Sequence, residues 1–466
     1  MLKAMKLLNQ SWHPLKISSR QHPYPAQFMY FLRNQPPTLY SRLSNGLTVA
    51  TEERECCNVC IGLYVDGGSR YESNFENGIS HFFEHIAFKG TNARPQTVLQ
   101  EQMSRTGARF KCFTTREMAV YFAECLCPEV PLVMDLLADC ILNNSYLPAV
   151  IEQQKNIVYK EMMEHDNDVN EILYDYLHAT AFQGTPLAQT VMGNSSNLYN
   201  FTDSTICLYH AKFFDPARMV LAAVGGITHD QIVTLASTYF TRVDPMKCID
   251  ADVYRYTGSD VRYRDDSLPL ANCVIAVEAP CFCDEDAVPM QIAAEVVSGW
   301  DKSQPGGLDH GVKMARVAST SDFCDAYKAF YVKYKDTGLW GVQFMGTTLQ
   351  LDDMVLTVQD EWMHMCNTIS DAEVMRAKRQ LKTKLLSKME SSVGTCHEIG
   401  RWSLYHGCRP PLHELITTID HVYAKNIRET CTKFIYDKCP VVAAVGPTEA
   451  LPDYNRIRAG MYWLRI

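Results

Sequence analysis

One short segment, Ser80-His81-Phe82-Phe83-Glu84-His85, constrains this chain more than any other, because it carries His-x-x-Glu-His within an apolar helical pattern. On a helix His81 and His85 stand at positions i and i+4, so both imidazoles project from one face and can bind one metal ion. Glu84 lies beside them and can accept a proton from water and pass it to a leaving amine. The order is that of an inverted zinc peptidase motif. Three fixed residues form a weak pattern, so the rest of the chain must support it.

A third metal ligand is needed if the fourth position of a catalytic zinc ion is to stay open for water. The helical pattern over residues 147–164 offers Glu161. Glu164 and His165 lie within the next turn, and from the residues alone either could serve instead.

Beyond these residues, the chain resembles a known family. The separation of His85 and Glu161 is similar to that in the pitrilysin-type family of inverted zinc peptidases, where a second helix supplies a zinc-binding glutamate. The resemblance implies Zn²⁺ bound by His81, His85 and Glu161, with Glu84 as the general base. Four further segments resemble the mitochondrial branch of this family, which holds processing-peptidase β subunits and complex III core proteins: Asn45–Leu47, Gly67–Glu72, Leu177–Leu187 and Tyr334–Gly341. The likeness covers roughly residues 40–466.

The family architecture predicts an α+β fold of two homologous domains, each a mostly antiparallel sheet packed with helices, of which only the first binds zinc. The chain repeats itself weakly in agreement: residues 221–225, Leu-Ala-Ala-Val-Gly, are mirrored by Val-Ala-Ala-Val-Gly at 442–446. Strand patterns at 59–65 and 272–278 are each followed by a loop and a helix, the second helix over 288–299. We expect an N-terminal domain with the zinc site at 36–245, a linker at 246–262 and a C-terminal domain without a zinc site at 263–466.

The amino terminus differs sharply in composition from the rest. No acidic residue precedes Glu52, whereas lysine and arginine recur among leucine, serine and aromatic residues. This composition is typical of a mitochondrial transit peptide, and a proline-rich linker follows it. We therefore exclude residues 1–35 from the fold.

Net charge and hydropathy argue against a nucleic-acid-binding protein and against a membrane-spanning one. The net charge of −9 argues against a nucleic-acid partner, whose binding surface would be basic. No apolar run approaches the roughly 20 residues of a membrane-spanning helix, so any membrane association would depend on partners. An acidic protein suits basic peptides.

The strand Lys111-Cys112-Phe113 is expected to bind substrate, because the corresponding family strand lies beside the zinc and pairs with an extended peptide. Relatives usually have Asn-Ala where this chain has Lys111-Cys112, so peptide binding should be weakened or redirected. Active relatives carry glutamate at the position of Gln154, seven residues before Glu161, where it supports catalysis. Gln154 retains hydrogen bonding and loses the charge, so we expect reduced turnover.

Two functions follow from the resemblance. The first is a core protein 1-like subunit on the matrix side of the mitochondrial inner membrane, within complex III (ubiquinol:cytochrome c reductase), which retains the zinc metalloendopeptidase site. Two segments that are similar to core protein 1, residues 184–189 and 451–465, favour it, as do Gln154 and Lys111. The alternative is a catalytic β-like subunit of the processing peptidase, which cleaves presequences from imported proteins. Expected partners are a homologous core protein 2 or a processing-peptidase α subunit, other complex III subunits, and presequence peptides.

Overall fold

The computed structural model describes residues 30, 32–241, 254–304 and 307–462. Nearly all of the predicted transit peptide lies outside these ranges, as does the first part of the predicted linker at 246–262. The described residues form two six-stranded sheets, each packed with helices.

The first half of the chain builds a sheet in the order β1-β2-β6-β3-β5-β4, in which only β2 and β6 pair in parallel. Its elements are β1 (Thr38–Arg42), β2 (Thr48–Glu53), β3 (Asn58–Val65), α1 (Ile79–Ala87), α2 (Gln96–Thr106), β4 (Arg109–Thr114), β5 (Ala119–Leu126), α3 (Val130–Leu142), α4 (Pro148–His165), α5 (Val169–Ala181), α6 (Ser195–Leu198), α7 (Asp203–Phe213), β6 (Met219–Gly225) and α8 (His229–Tyr239).

The second half builds a sheet in the order β7-β12-β8-β11-β10-β9, in which only β7 and β12 pair in parallel. Its elements are β7 (Asp260–Arg264), β8 (Ala271–Ala279), α9 (Ala287–Val297), β9 (Gly299–Asp301), α10 (Lys313–Ser321), β10 (Ala326–Lys333), β11 (Gly338–Gly346), α11 (Leu351–Asn367), α12 (Asp371–Glu390), α13 (Ser392–His406), α14 (Leu412–Asp420), α15 (Ala424–Phe434), β12 (Val441–Gly446) and α16 (Tyr454–Ala459).

The two halves repeat one topology. Strands β2-β6-β3-β5-β4 of the first sheet correspond in order and direction to β7-β12-β8-β11-β10 of the second. The mirrored sequences noted above are the central strands β6 and β12, and every residue of both is buried, as expected of strands covered on both faces. The predicted α+β fold with two similar halves is confirmed. Each sheet adds one strand of its own, β1 beside β2 and β9 beside β10.

Each half contributes a helix to the other half. On one side, α5 of the first half packs on β8 and β12 of the second sheet, with Leu173, Leu177 and Ala181 buried against it. On the other, α13 of the second half packs on β3 and β6 of the first sheet through Cys396 and Ile399. One face of each sheet is therefore covered by a helix of the other half, and that face would be exposed if the other half were absent.

Buried polar contacts also join the halves. Arg70 donates from Nη1 to Glu117 Oε1 at 2.6 Å and to Asp336 Oδ1 at 2.7 Å, and Asp336 belongs to the β10–β11 turn of the second half. The side chains of Arg70 and Glu117 are 2% and 1% exposed. Tyr334 Oη lies 2.6 Å from His178 Nε2 in the same interface.

None of the helices in the described ranges combines the length and apolarity that a bilayer-spanning helix needs.

Removing the Arg70 guanidinium should destabilise the whole chain. In Arg70→Met, Glu117 would remain buried without its cation, which costs about 3–5 kcal/mol. We expect a clear fall in the midpoint of thermal or urea unfolding. Arg105→Met is the control, because Arg105 pairs with Glu101 at an exposed site, where such pairs are worth about 0–1 kcal/mol. Equal midpoints for the two variants would contradict a stabilising role for this cluster.

Candidate functional site

Helix α1, which carries the His-x-x-Glu-His motif, is held at its amino end by a buried carboxylate. Glu72 Oε2 accepts from Gly78 N at 2.8 Å, and Glu72 Oε1 accepts from Ser80 N at 2.8 Å and also from Ser80 Oγ. These bonds satisfy amide groups that have no partner within the helix. Gly78 has φ 100°, and a Cβ there would lie 2.5 Å from Met192 O, so the turn into the helix requires glycine.

The carboxyl end of α1 is fixed by an amide side chain. Asn144 Nδ2 donates to Ile86 O at 2.8 Å and to Ala87 O at 3.1 Å. The helix is thus held at both ends by buried side chains from outside it. Its apolar face, including Phe82 and Phe83, is fully buried in the core of the first half.

The structure brings His81, His85 and Glu161 together. Glu161 lies on α4, which packs against α1. Glu161 Oε2 is 2.8 Å from His85 Nε2 and 3.5 Å from His81 Nε2. One donor atom from each residue lies within 4.8 Å of the other two, and within the described residues no other three histidine, cysteine or acidic side chains converge in this way.

Burial and charge shift the acidity of this cluster. The close approach of His81 and His85 holds the pKa of Glu161 far below its usual range. Burial opposes the charged form of His81, but the close approach of Glu161 and the charge of Glu84 outweigh it, so the pKa of His81 is raised. The environment of the cluster therefore favours the charged forms of Glu161 and His81.

The carboxylate of Glu84 has an oxygen that accepts no hydrogen bond within the described residues. Its Oε2 lies 3.9 Å from His81 Nδ1, and its Oε1 is buried without a hydrogen-bond partner among the described residues. Burial raises the pKa of Glu84. A carboxylate of raised pKa beside an open site is suited to exchanging protons with a substrate or water.

The predicted substrate strand is β4, which stands at the edge of its sheet and, within the described ranges, pairs with β5 alone. Cys112 faces α1, with Sγ 3.7 Å from Glu84 O. Lys111 Nζ lies 3.9 Å from Glu124 Oε1 of β5, and that lysine is 58% exposed. Phe113 packs against His397 of α13, with ring centroids 5.3 Å apart. The edge strand is thus supported from beneath by the second half.

The other predicted residues take distinct places. Gln154 is buried on α4, two turns before Glu161. Glu164 is exposed, and His165 Nε2 lies 3.6 Å from Asp175 Oδ2, away from the histidine pair. The structure therefore places Glu161, and neither of the two alternatives, in the cluster.

Sequence reasoning assigned no role to Glu72, Asn144 or His397. Glu72 lies in the segment Gly67–Glu72 that carried the family resemblance, so its position was visible although its role was not. No sequence pattern around Asn144 or His397 indicates their roles, because each contacts an element that is distant in the sequence.

The donor set fits a zinc ion. Two imidazole nitrogens and one carboxylate oxygen are ligands that a catalytic zinc site uses, with a fourth position left open. His81 Nε2 is buried and makes no hydrogen bond within the described residues, its contact with Glu161 Oε2 being 3.5 Å long, as expected of an atom whose partner is a metal.

Comparison with known proteins agrees with this arrangement. A family model described as insulinase, peptidase family M16, matches residues 48–195, which include the whole cluster. A model described as the peptidase M16 inactive domain matches residues 200–381.

Individual relatives match over nearly the full chain. Cytochrome b-c1 complex subunit 1 of Mus musculus is 40% identical over 445 residues, which are 95% of this chain and 93% of the relative. The mitochondrial-processing peptidase subunit beta of Bos taurus is 39% identical over 436 residues, 92% of this chain and 89% of the relative. A solved chain of Inz-5-bound complex III2 from Candida albicans has a TM-score of 0.83 and 25% identity, covering 91% of this chain and 100% of its own.

Glu72→Gln should loosen the start of α1. The substitution places an amide NH₂ group against backbone donors, and an unsatisfied buried group costs about 1–3 kcal/mol. We expect faster hydrogen exchange at the amides of Gly78 and Ser80. Glu76→Gln is the matched control, because Glu76 lies on the same loop and accepts instead from Ser73 Oγ. Equal exchange in the two variants would show that Glu72 does not hold the helix.

Proposed function

Because the chain belongs to peptidase family M16, we propose that it is a core protein 1-like subunit of mitochondrial complex III that retains a zinc metallopeptidase site. One observation carries this proposal: 40% identity to cytochrome b-c1 complex subunit 1 of Mus musculus across 95% of the chain. The fold shared with a chain of Candida albicans complex III2 supports it.

The proposed setting follows from those relatives. The subunit would lie on the matrix side of the mitochondrial inner membrane, paired with a homologous core protein 2 and in contact with other complex III subunits. Helix α5 packs on the sheet of the second half and α13 packs on the sheet of the first. This reciprocal packing holds the two halves together and supports a scaffolding role.

The zinc site is proposed on His81, His85 and Glu161. Zn²⁺ bound there would polarise a peptide carbonyl and lower the pKa of water. Glu84 would accept a proton from the attacking water and hand it to the leaving amine. The edge strand β4 would align an extended presequence by backbone pairing, with Cys112 on the side of α1.

The alternative is a catalytic β-like subunit of the mitochondrial processing peptidase. The convergence of His81, His85 and Glu161, with Glu84 beside them, favours it. The likeness to the Bos taurus processing-peptidase subunit beta supports it almost as strongly as the other relative supports the core role. A processing-peptidase α subunit would then be the partner.

Two residues favour the core role. Gln154 is buried on α4 and lacks the charge that active relatives have at this position. Lys111 adds a cation to β4, where an arginine-bearing presequence would bind, and like charges repel. We therefore infer a preserved site whose turnover is reduced.

Assembly is tested with the tagged full chain expressed in mitochondria. We expect it to comigrate with complex III on a native gel and to co-purify with a homologous core subunit. Migration only as a smaller pair with a processing-peptidase α subunit would contradict the core role and support the alternative.

Catalysis is tested on the purified chain with its co-purifying partner and an arginine-bearing presequence peptide. We expect Glu161→Gln to lose bound zinc and Glu84→Gln to retain it, since only the first removes a ligand. Any cleavage should be lost in both variants and after chelation. Glu164→Gln is the matched control, an exposed glutamate on the same helix that should change neither.

Zinc content that survives Glu161→Gln would contradict the proposed ligand set. Cleavage that survives Glu84→Gln would contradict its role as general base. Restored or increased cleavage in Gln154→Glu would show that the lost charge is what limits turnover.

A further inference from the structure

Strand β4 is seated on the histidine helix α1 by two side chains of one face. Cys112 Sγ donates to Glu84 O at 3.7 Å, and Thr114 Oγ1 donates to Ser80 O at 3.5 Å. The two carbonyl groups are four residues apart, about one turn of the helix. The strand therefore lies along α1, beside the side chains that form the histidine cluster.

The opposite face of β4 is directed at the second half of the chain, because successive side chains of a strand alternate between its two faces. Cys112 packs with the core of the first half, whereas Phe113 packs with the apolar cluster that α13 covers. There Phe113 meets His397 of α13 edge to face, with ring centroids 5.3 Å apart and an angle of 75° between the rings. Strand β4 is thus held between α1 and α13.

The ring of His397 is itself fixed in place. It makes edge contacts with Phe122 of β5 and Tyr64 of β3, with ring centroids 4.7 and 5.9 Å apart. Its Nδ1 lies 2.8 Å from Tyr64 Oη. Burial and the nearby Lys388 lower the pKa of His397 to about 4, so the ring is neutral at pH 7. A neutral ring with three aromatic neighbours and one hydrogen bond can act as a rigid support for Phe113.

The exact place of β4 matters because one of its edges carries no strand. Within the described ranges it pairs with β5 alone, so its other edge can pair with an extended peptide. A peptide bound in this way takes its distance from the histidine cluster from the strand. Catalytic groups and their substrate must be held within about 0.5 Å of the productive geometry. A small displacement of β4 would therefore be felt at the site.

We propose that His397, a residue of the second half, is a positioning residue of the peptide site in the first. It holds Phe113, and hence β4, in line with α1, so that a bound peptide lies at a fixed distance from His81, His85 and Glu161. This role rests on the proposed peptidase site, because a residue can position a peptide only where a peptide binds.

The first test follows β4 itself, in the full chain with its co-purifying partner. In His397→Ala we expect faster hydrogen exchange at the amides of residues 111–114, and unchanged zinc content because no ligand is lost. His406→Ala is the matched control, since His406 lies on the same helix and contacts Trp402 of that helix, with ring centroids 6.0 Å apart. Exchange in β4 that is equal in the two variants would overturn the proposal.

The second test follows the peptide. The affinity for a fluorescein-labelled, arginine-bearing presequence peptide is measured by fluorescence anisotropy in a Glu84→Gln background, which keeps the proposed ligands and prevents cleavage. We expect His397→Ala to weaken binding at least about tenfold. His397→Phe places a ring against Phe113 again and should recover most of the affinity, which a general loss of stability would not predict for a variant that also lacks the hydrogen bond to Tyr64.

Two outcomes separate this role from the peptidase site itself. Peptide affinity that is equal in His397→Ala and His406→Ala, in a chain that binds the peptide, would overturn the positioning role and leave the peptidase site in place. A chain with His397 intact that binds no presequence peptide would instead remove the proposed peptidase site, and the positioning role with it.

Discussion

The exchange of helices between the halves is the constraint on which the rest of the structure depends. The face of the first sheet that carries Tyr64 and Ala222 is covered by α13 of the second half, and Gly400 of that helix lies so close to the Tyr64 ring that a Cβ would be 2.3 Å from it. The second sheet is covered in the same way by α5 of the first half. Neither sheet can bury both faces alone, and apolar burial is the dominant favourable contribution to folding. The two similar halves therefore form one cooperative structure, although each has its own core.

The cluster of His81, His85 and Glu161 is positioned by this arrangement. Arg70 and Glu72 belong to one loop: Arg70 binds the β10–β11 turn of the second half, and Glu72 binds the first amides of α1. On the substrate side, His397 of α13 supports Phe113 of β4. The second half thus contacts both the loop that begins the histidine helix and the strand proposed to bind peptide. The second half therefore contributes to the geometry of a histidine cluster that lies in the first.

The histidine motif and the paired strand patterns were visible in the sequence because each depends on local spacing, whereas Glu161 was selected over Glu164 and His165 by the family resemblance alone. His81 and His85 share a face by helical periodicity alone, and α4 begins and ends within a residue of the predicted 147–164.

Features that depend on distant contacts were not visible. The helix predicted over 288–299 ends at Val297, where Ser298 adopts φ 60° and the chain turns into β9. Lys111 could be assigned to the substrate strand, but its contact with Glu124 depends on the register between β4 and β5. The segments that resembled the family include Arg70, His178 and Tyr334, which join the halves and do not touch the cluster.

The covering of the first sheet by α13 has a consequence for how the chain reaches its native state. Tyr64 and Cys396, which contact each other beneath that sheet, are 332 positions apart. Contacts of such separation form late, because the intervening chain must lose its entropy before they contribute. During synthesis or import, the apolar face of β3 and β6 would remain open to solvent until α13 arrives. Partly folded chains of this kind expose aggregation-prone surface. The same helix that makes the folded protein a single unit thus leaves its folding intermediates with an uncovered apolar sheet face until it docks.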